Sequence, residues 1–176
     1  AFGGAPSQKD ETETWDGSSW TEVGDLNTAR NVMAGFGTNT AAVSAAGSAP
    51  AATAAVEEWN GTSWTEVTDI PTATSQKGGA GTLTAGLVTG GYDTAAATET
   101  FEYDGTNWTD GGDINTARWN LIAFGTQTSS IINGGGDPSP VIGAYTEQYD
   151  GISWTEVADS SYKGEDKAGA GASANL

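Results

Sequence analysis

Residues 15–23 read WDGSSWTEV, and the phrase returns as WNGTSWTEV at 59–67, YDGTNWTDG at 103–111 and YDGISWTEV at 149–157. The second aromatics of the four copies, Trp20, Trp64, Trp108 and Trp154, are 44, 44 and 46 residues apart. No other feature constrains the chain as strongly. A unit of that size cannot bury its apolar face alone and must stack on its neighbours, so the period implies a repeat architecture. The expectation is one repeat domain over residues 1–176, with no separate second domain.

The chain of 176 residues buries roughly 70% of the surface it exposes when unfolded, enough for a core without disulfide staples. It has no cysteine and no histidine. Thiol catalysis, Cys/His zinc sites, His-ligated haem and a Ser-His-Asp triad are thereby excluded. The net charge of −17, from 23 acidic and six basic residues, argues against nucleic acid and against anionic membrane surfaces. No apolar run reaches membrane-spanning length, and no signal peptide is visible. The wealth of Gly, Ala, Thr and Ser suits an extracellular or virion surface.

One repeat reads as four short strands. Residues 31–37 (NVMAGFG) are small and apolar, as in a strand that another backbone approaches closely. Residues 38–40 form a turn and 41–47 a second strand. A loop with Pro50 leads to a third strand, 54–59, and a fourth, 64–67. The Asn60-Gly61 pair between them suggests a two-residue type I′ hairpin. No helical periodicity appears. Lead-in loops recur at 25–30 (DLNTAR), 69–74 (DIPTAT) and 113–118 (DINTAR), with a divergent fourth at 159–164 (DSSYKG). The second strand ends in a small pair each time: Gly3-Gly4, Ala46-Gly47, Gly90-Gly91 and Gly134-Gly135.

Four antiparallel strands in about 44 residues, repeated, describe a β-propeller blade. The Gly90-Gly91 pair, Tyr103 about a dozen residues later and Trp108 beyond it resemble the kelch repeat. The Arg of Asn-Thr-Ala-Arg also stands where kelch repeats often carry one. Ala46 and Thr74 depart from that pattern. The low-charge wording (LNTAR, NGTSWTEV) is similar to kelch-like arrays of marine bacteriophage structural proteins. The resemblance implies an all-β, four-bladed propeller. The sequence starts and stops inside a repeat, and residues 167–171 match the first strand, so the termini are expected to meet in one shared blade. The alternative is two chains forming an eight-bladed ring, or a slice of a longer array.

Trp15, Trp20, Trp59, Trp64, Tyr103, Trp108, Tyr149 and Trp154 recur in phase, and we read them as structural repeat core rather than sugar-stacking platforms. Each buried aromatic removes about 200 Å² from water. Asp16, Asn60, Asp104 and Asp150 read as turn residues; Glu22, Glu66 and Glu156 as solvated strand positions. A glycosidase needs two carboxylates across a substrate, and no pair stands out, so a carbohydrate-active hydrolase is the third reading. No cofactor or metal is expected.

Residues that break the repeat are stronger binding candidates, because loops on a rigid scaffold carry function. Chain direction puts loops 5–10, 48–53, 92–97 and 137–144 on one face with the lead-in loops. There Arg30, Tyr92, Arg118, Trp119, Tyr162 and Lys163 are the candidate ligand-binding residues. Arg30 and Arg118 could equally bridge loops or pair with acids, and Trp119 could fill a channel or blade interface. The expected partners are a surface glycan or protein, or other subunits of a larger assembly. The first reading is a non-catalytic, extracellular or virion-associated binding module; the alternative is a purely architectural domain.

Overall fold

The computed structural model describes residues 1–138 and 143–161, and its strands follow the repeat. β1 (Glu13–Trp15) and β2 (Trp20–Glu22) form a two-stranded sheet. β3 (Ala34–Thr38), β4 (Ala41–Ala45), β5 (Val56–Trp59) and β6 (Trp64–Glu66) form an antiparallel sheet of four in sequence order. β7 (Gly78–Thr82), β8 (Ala85–Thr89), β9 (Thr100–Tyr103) and β10 (Trp108–Asp110) form the next. β11 (Ile122–Thr126), β12 (Ser129–Asn133), β13 (Thr146–Tyr149) and β14 (Trp154–Val157) form another. The described residues are all-β, in four blade-like sheets, three of them complete with four strands.

The inner strands pack face to face, β3 on β7 and β7 on β11. Small residues permit the approach. The Phe36 ring lies over Gly86 of the next sheet, where an added Cβ would come within 2.1 Å of it. Gly37, Gly81 and Gly125 stand one residue before the ends of β3, β7 and β11, with φ of 113°, 109° and 120°. A Cβ at any of them would meet a backbone carbonyl oxygen at 2.3 Å. Glycine is required on both counts. Val43, Val56, Val88 and Phe101 fill one core cluster with Phe36, and Leu87, Leu121, Ile132 and Tyr149 fill another.

Just before the inner strands the sheets are linked by backbone hydrogen bonds. Gln76 N–H donates to the Val32 carbonyl (2.8 Å), and Asn120 N–H to the Gln76 carbonyl (3.0 Å). Val32, Gln76 and Asn120 all have left-handed backbones, with φ of 49°, 61° and 49°. For a β-branched residue such as Val32 that conformation is strained.

Two expectations are corrected. The Asn60-Gly61 hairpin is not a two-residue type I′ turn. Trp59 pairs with Trp64 across a four-residue loop, and Gly61 is left-handed while Asn60 is not. The Asn60 Oδ1 accepts the N–H groups of Thr62 and Ser63, so the side chain closes the turn in place of a second left-handed residue. Asp16, Asp104 and Asp150 do the same, and these bonds to the charged form hold the Asp16 carboxyl at about 2.

The second correction concerns the repeat core. Trp59, Trp64, Tyr103, Tyr149 and Trp154 are buried and Trp108 half-buried, but Trp15 and Trp20 are 45% and 55% exposed. Their two rings contact each other, 5.4 Å apart. The sheet of β1 and β2 is the first in the run, and its aromatic face has no preceding sheet against it among the described residues.

Candidate functional site

The two arginines offered as loop-face ligands are instead sealed inside their sheets. Arg30 and Arg118 are fully buried. Arg30 Nη1 donates to the carbonyls of Ala46 and Ala55, and Nη2 pairs with Glu57 Oε1 at 2.8 Å. The other oxygen of Glu57 accepts the Asn27 backbone N–H and side-chain amide (2.7 and 2.8 Å). Arg118 repeats the arrangement. Its Nη1 donates to Gly134 and Tyr145, and its Nη2 to Glu147, whose second oxygen accepts both donors of Asn115. Burial lowers both guanidinium pKa values, and the paired glutamate opposes that shift. A buried ion pair repays its desolvation best when its remaining polar groups are satisfied: both carboxylates are, and Arg118 Nε donates to the Thr116 carbonyl, whereas Arg30 Nε has no partner. Each Arg therefore ties a lead-in loop to the second and third strands, and neither reaches a ligand on the face.

In the sheet of β7–β10 the same place is filled differently. Thr74 replaces the Arg and Phe101 the Glu, and Lys77, from the start of the inner strand, donates to the Gly90 carbonyl at 2.6 Å. Its ammonium lies 5.5 Å from the Phe101 ring centre. Burial pushes the Lys77 pKa down to about 8, against the pull of Glu99.

The structure does bring Tyr92 and Trp119 together. Tyr92 lies just after β8 and Trp119 just before β11, and their rings meet edge to face at 5.1 Å. Both backbones are clamped. Tyr92 exchanges two hydrogen bonds with Ser75 (2.9 and 2.8 Å), and Trp119 two with Gly136 (3.0 and 2.8 Å). The Trp119 indole rests on Gly136, where a Cβ would come within 2.6 Å of the ring. Tyr92 is exposed and Trp119 half-buried, so the pair forms a rigid aromatic step on the loop face. Tyr162 and Lys163 lie outside the described residues.

A second feature was not foreseen. A cleft of about 530 Å³ runs between the first sheet and β3, lined by Phe2, Trp15, Trp20, Phe36, Trp59 and Trp64 with Thr38 and Asn39. Phe2 packs edge to face on Trp64 at 4.8 Å. The cleft flanks β3 on the side opposite to β7. Among the described residues, no group of His, Cys, Asp or Glu side chains could hold a metal ion.

No family model matches the chain, and no curated protein matches it. Solved structures do. One, titled "Structure of YjhT", superposes with a TM-score of 0.67 at 15% identity, over 84% of this chain and 51% of that one. The likeness is one of fold. The present chain spans about half the length of that protein.

Proposed function

We propose that this chain is a non-catalytic binding module, of kelch-like blades, that presents the Tyr92/Trp119 step to a surface glycan or protein. One observation carries the reading: two aromatic rings outside the repeat pattern meet on the loop face, each with its backbone pinned by two hydrogen bonds. Pre-organised aromatics stack on sugar rings or bury in a protein pocket with little ordering cost. The expectation that residues 167–171 (KAGAG), which echo 77–81 (KGGAG), share a blade with the start of the sequence lies outside the described residues. The same reading places the module outside the cell or on a virion.

Binding to a broad glycan array, with intact bacterial cells as a second surface, tests the proposal. A defined hit whose affinity falls roughly tenfold or more, equivalent to about 1.4 kcal/mol, in Trp119→Ala or Tyr92→Ala supports it. Silence on both surfaces overturns it in favour of an architectural domain, a reading that draws its support from the exposed Trp15/Trp20 face.

A further inference from the structure

Glycine follows asparagine at two places in the chain, Asn60-Gly61 and Asn133-Gly134. The two asparagines stand in opposite settings. Residues 60–63 are the exposed turn between β5 and β6. There the Gly61 N–H donates to no group among the described residues. The Asn60 Oδ1 accepts the N–H groups of Thr62 at 2.9 Å and Ser63 at 3.0 Å, and its Nδ2 lies 3.4 Å from the Ser63 hydroxyl. Asn133 is buried at the end of β12. Its Nδ2 donates to Thr146 Oγ1 at 2.6 Å and to the Ala144 carbonyl at 3.3 Å. The Gly134 N–H is engaged as well, donating to the Tyr145 carbonyl at 3.0 Å.

The exposed turn has the parts of a small acyl-transfer site. The nucleophile is the Gly61 nitrogen, and glycine has no side chain to shield it. The electrophile is the Asn60 side-chain amide, on the adjacent residue, so the two groups need no encounter. The N–H groups of Thr62 and Ser63 polarise that amide. They point at the oxygen on which negative charge develops during attack, as donors do in an oxyanion hole. At Asn133 the corresponding nitrogen is occupied and the amide is shut away from water.

We infer that Asn60 is a site of spontaneous modification, at which the folded turn converts its own asparagine to an acid while Asn133 is spared. The Gly61 nitrogen gives its proton to solvent and bonds to Asn60 Cγ. The Cγ–Nδ2 bond breaks, and Nδ2 leaves as ammonia with a proton taken from solvent. The product of this step is a five-membered succinimide. Water opens it at the bond from Cγ to give aspartate, or at the bond from the main-chain carbonyl carbon to give isoaspartate. The net change is water in and ammonia out, with no oxidant or reductant. The other copies show the end point. Asp16, Asp104 and Asp150 hold the same two backbone bonds, which keep their carboxyls below the ordinary pKa. An ionised carboxylate is a poor electrophile, so the aspartate product stays as it is. Conversion makes the four turns alike and adds one negative charge. The inference does not depend on what the loop face binds.

Peptide mapping by mass spectrometry, with a glutamate-specific protease, tests it on protein held at mildly alkaline pH and sampled over time. The expected result in the folded protein is the mass gain of an amide-to-acid exchange at Asn60, about tenfold or more faster than at Asn133, which reacts only when the fold opens locally. The same protein in urea is expected to convert at both asparagines. Asp104→Asn carries the asparagine into a second turn of the same build, before Gly105. That position is expected to return to an acid alongside Asn60, and circular dichroism checks that the variant is folded. An Asn60 that stays intact in the folded protein while the chain in urea converts overturns the inference, as do equal rates at the two asparagines of the folded protein. So does an asparagine at position 104 that persists while Asn60 converts, because the turn is then not the cause.

Discussion

The sheets β3–β6 and β11–β14 are held by a buried Arg–Glu pair, whereas β7–β10 fills the same place with a lysine beside a phenylalanine. Arg30 and Arg118 each bond two backbone carbonyls and a carboxylate that is itself saturated by an asparagine. Lys77 bonds one carbonyl and has no glutamate in contact. The exchange is concerted. Where Arg is lost, so is its Glu (now Phe101), and so is the Asn that capped the Glu (now Pro71). A buried carboxylate left without its guanidinium is costly, whereas an apolar substitution of the whole set is nearly neutral. The repeat therefore changes this network as a unit or not at all.

Breaking one member of the Arg sheets has the largest expected effect. Arg118→Met leaves the buried Glu147 without its guanidinium partner, and is expected to cost about 3–5 kcal/mol in urea denaturation. Transplanting the β7–β10 solution into β11–β14, with Arg118→Thr, Leu121→Lys, Glu147→Phe and Asn115→Pro together, is expected to recover more than half of that loss. If the combined variant is no more stable than Arg118→Met, the two solutions are not interchangeable.

Lys77 sharpens the comparison through pH. Its folded pKa of about 8 lies below its ordinary value of 10.5. Between those values the unfolded chain holds a proton that the folded chain has released, so raising the pH favours folding. The gain is on the order of 3 kcal/mol when integrated over that window. Tyr103 and Tyr149, whose hydroxyls are pushed up by burial and a neighbouring glutamate, oppose it above pH 10. Lys77→Met retains both tyrosines. The difference between the wild-type and variant stability profiles is therefore expected to rise from pH 8 to 10.5 and then level off; a flat difference contradicts a desolvated lysine.

Smaller effects test the positions where the sheets should be alike. Val32, Gln76 and Asn120 share one left-handed conformation, but only Val32 of the three is β-branched. Val32→Asn is expected to raise stability by about 1 kcal/mol, read as a higher melting temperature. Asp104→Asn places in one turn the residue that already serves at Asn60. It is expected to leave stability unchanged at neutral pH. Bonds from Asn107 and Thr106 hold the Asp104 carboxyl below its ordinary pKa. That carboxylate stabilises the fold above the ordinary carboxylate range and loses its effect as pH falls through the folded value, so the variant should show a shallower acid transition.

The sheets were legible because each strand repeats in phase with a tryptophan, and period alone places β3 to β14. The candidate site was legible only in part. Tyr92 and Trp119 were found as breaks in the repeat, and they do meet. Arg30 and Arg118 were offered as loop-face ligands because a polar loop segment suggests solvent; the other reading, that they pair with acids, is the one the structure shows, with Glu57 and Glu147 arriving from a strand 27 and 29 residues away. The signal was present across the copies, since Phe101 replaces Glu in the repeat where Thr74 replaces Arg. Trp15 and Trp20 were assigned to the core by phase, but phase does not say which sheet is first in the run.

The backbone links through Val32, Gln76 and Asn120 bear on how such a chain can change over evolutionary time. These links between neighbouring sheets are made by main-chain atoms, so they ask for no particular side chain in the next copy. A duplicated segment brings its own donor and acceptor. Length is tolerated where these links are absent. Ten residues separate β4 from β5 and β8 from β9, and twelve separate β12 from β13. The two extra residues lie between β12 and β13, and Asn120 still reaches Gln76. An array built this way can gain repeats and lengthen its loops independently, so that its loop face varies while the spacing of its sheets stays constant.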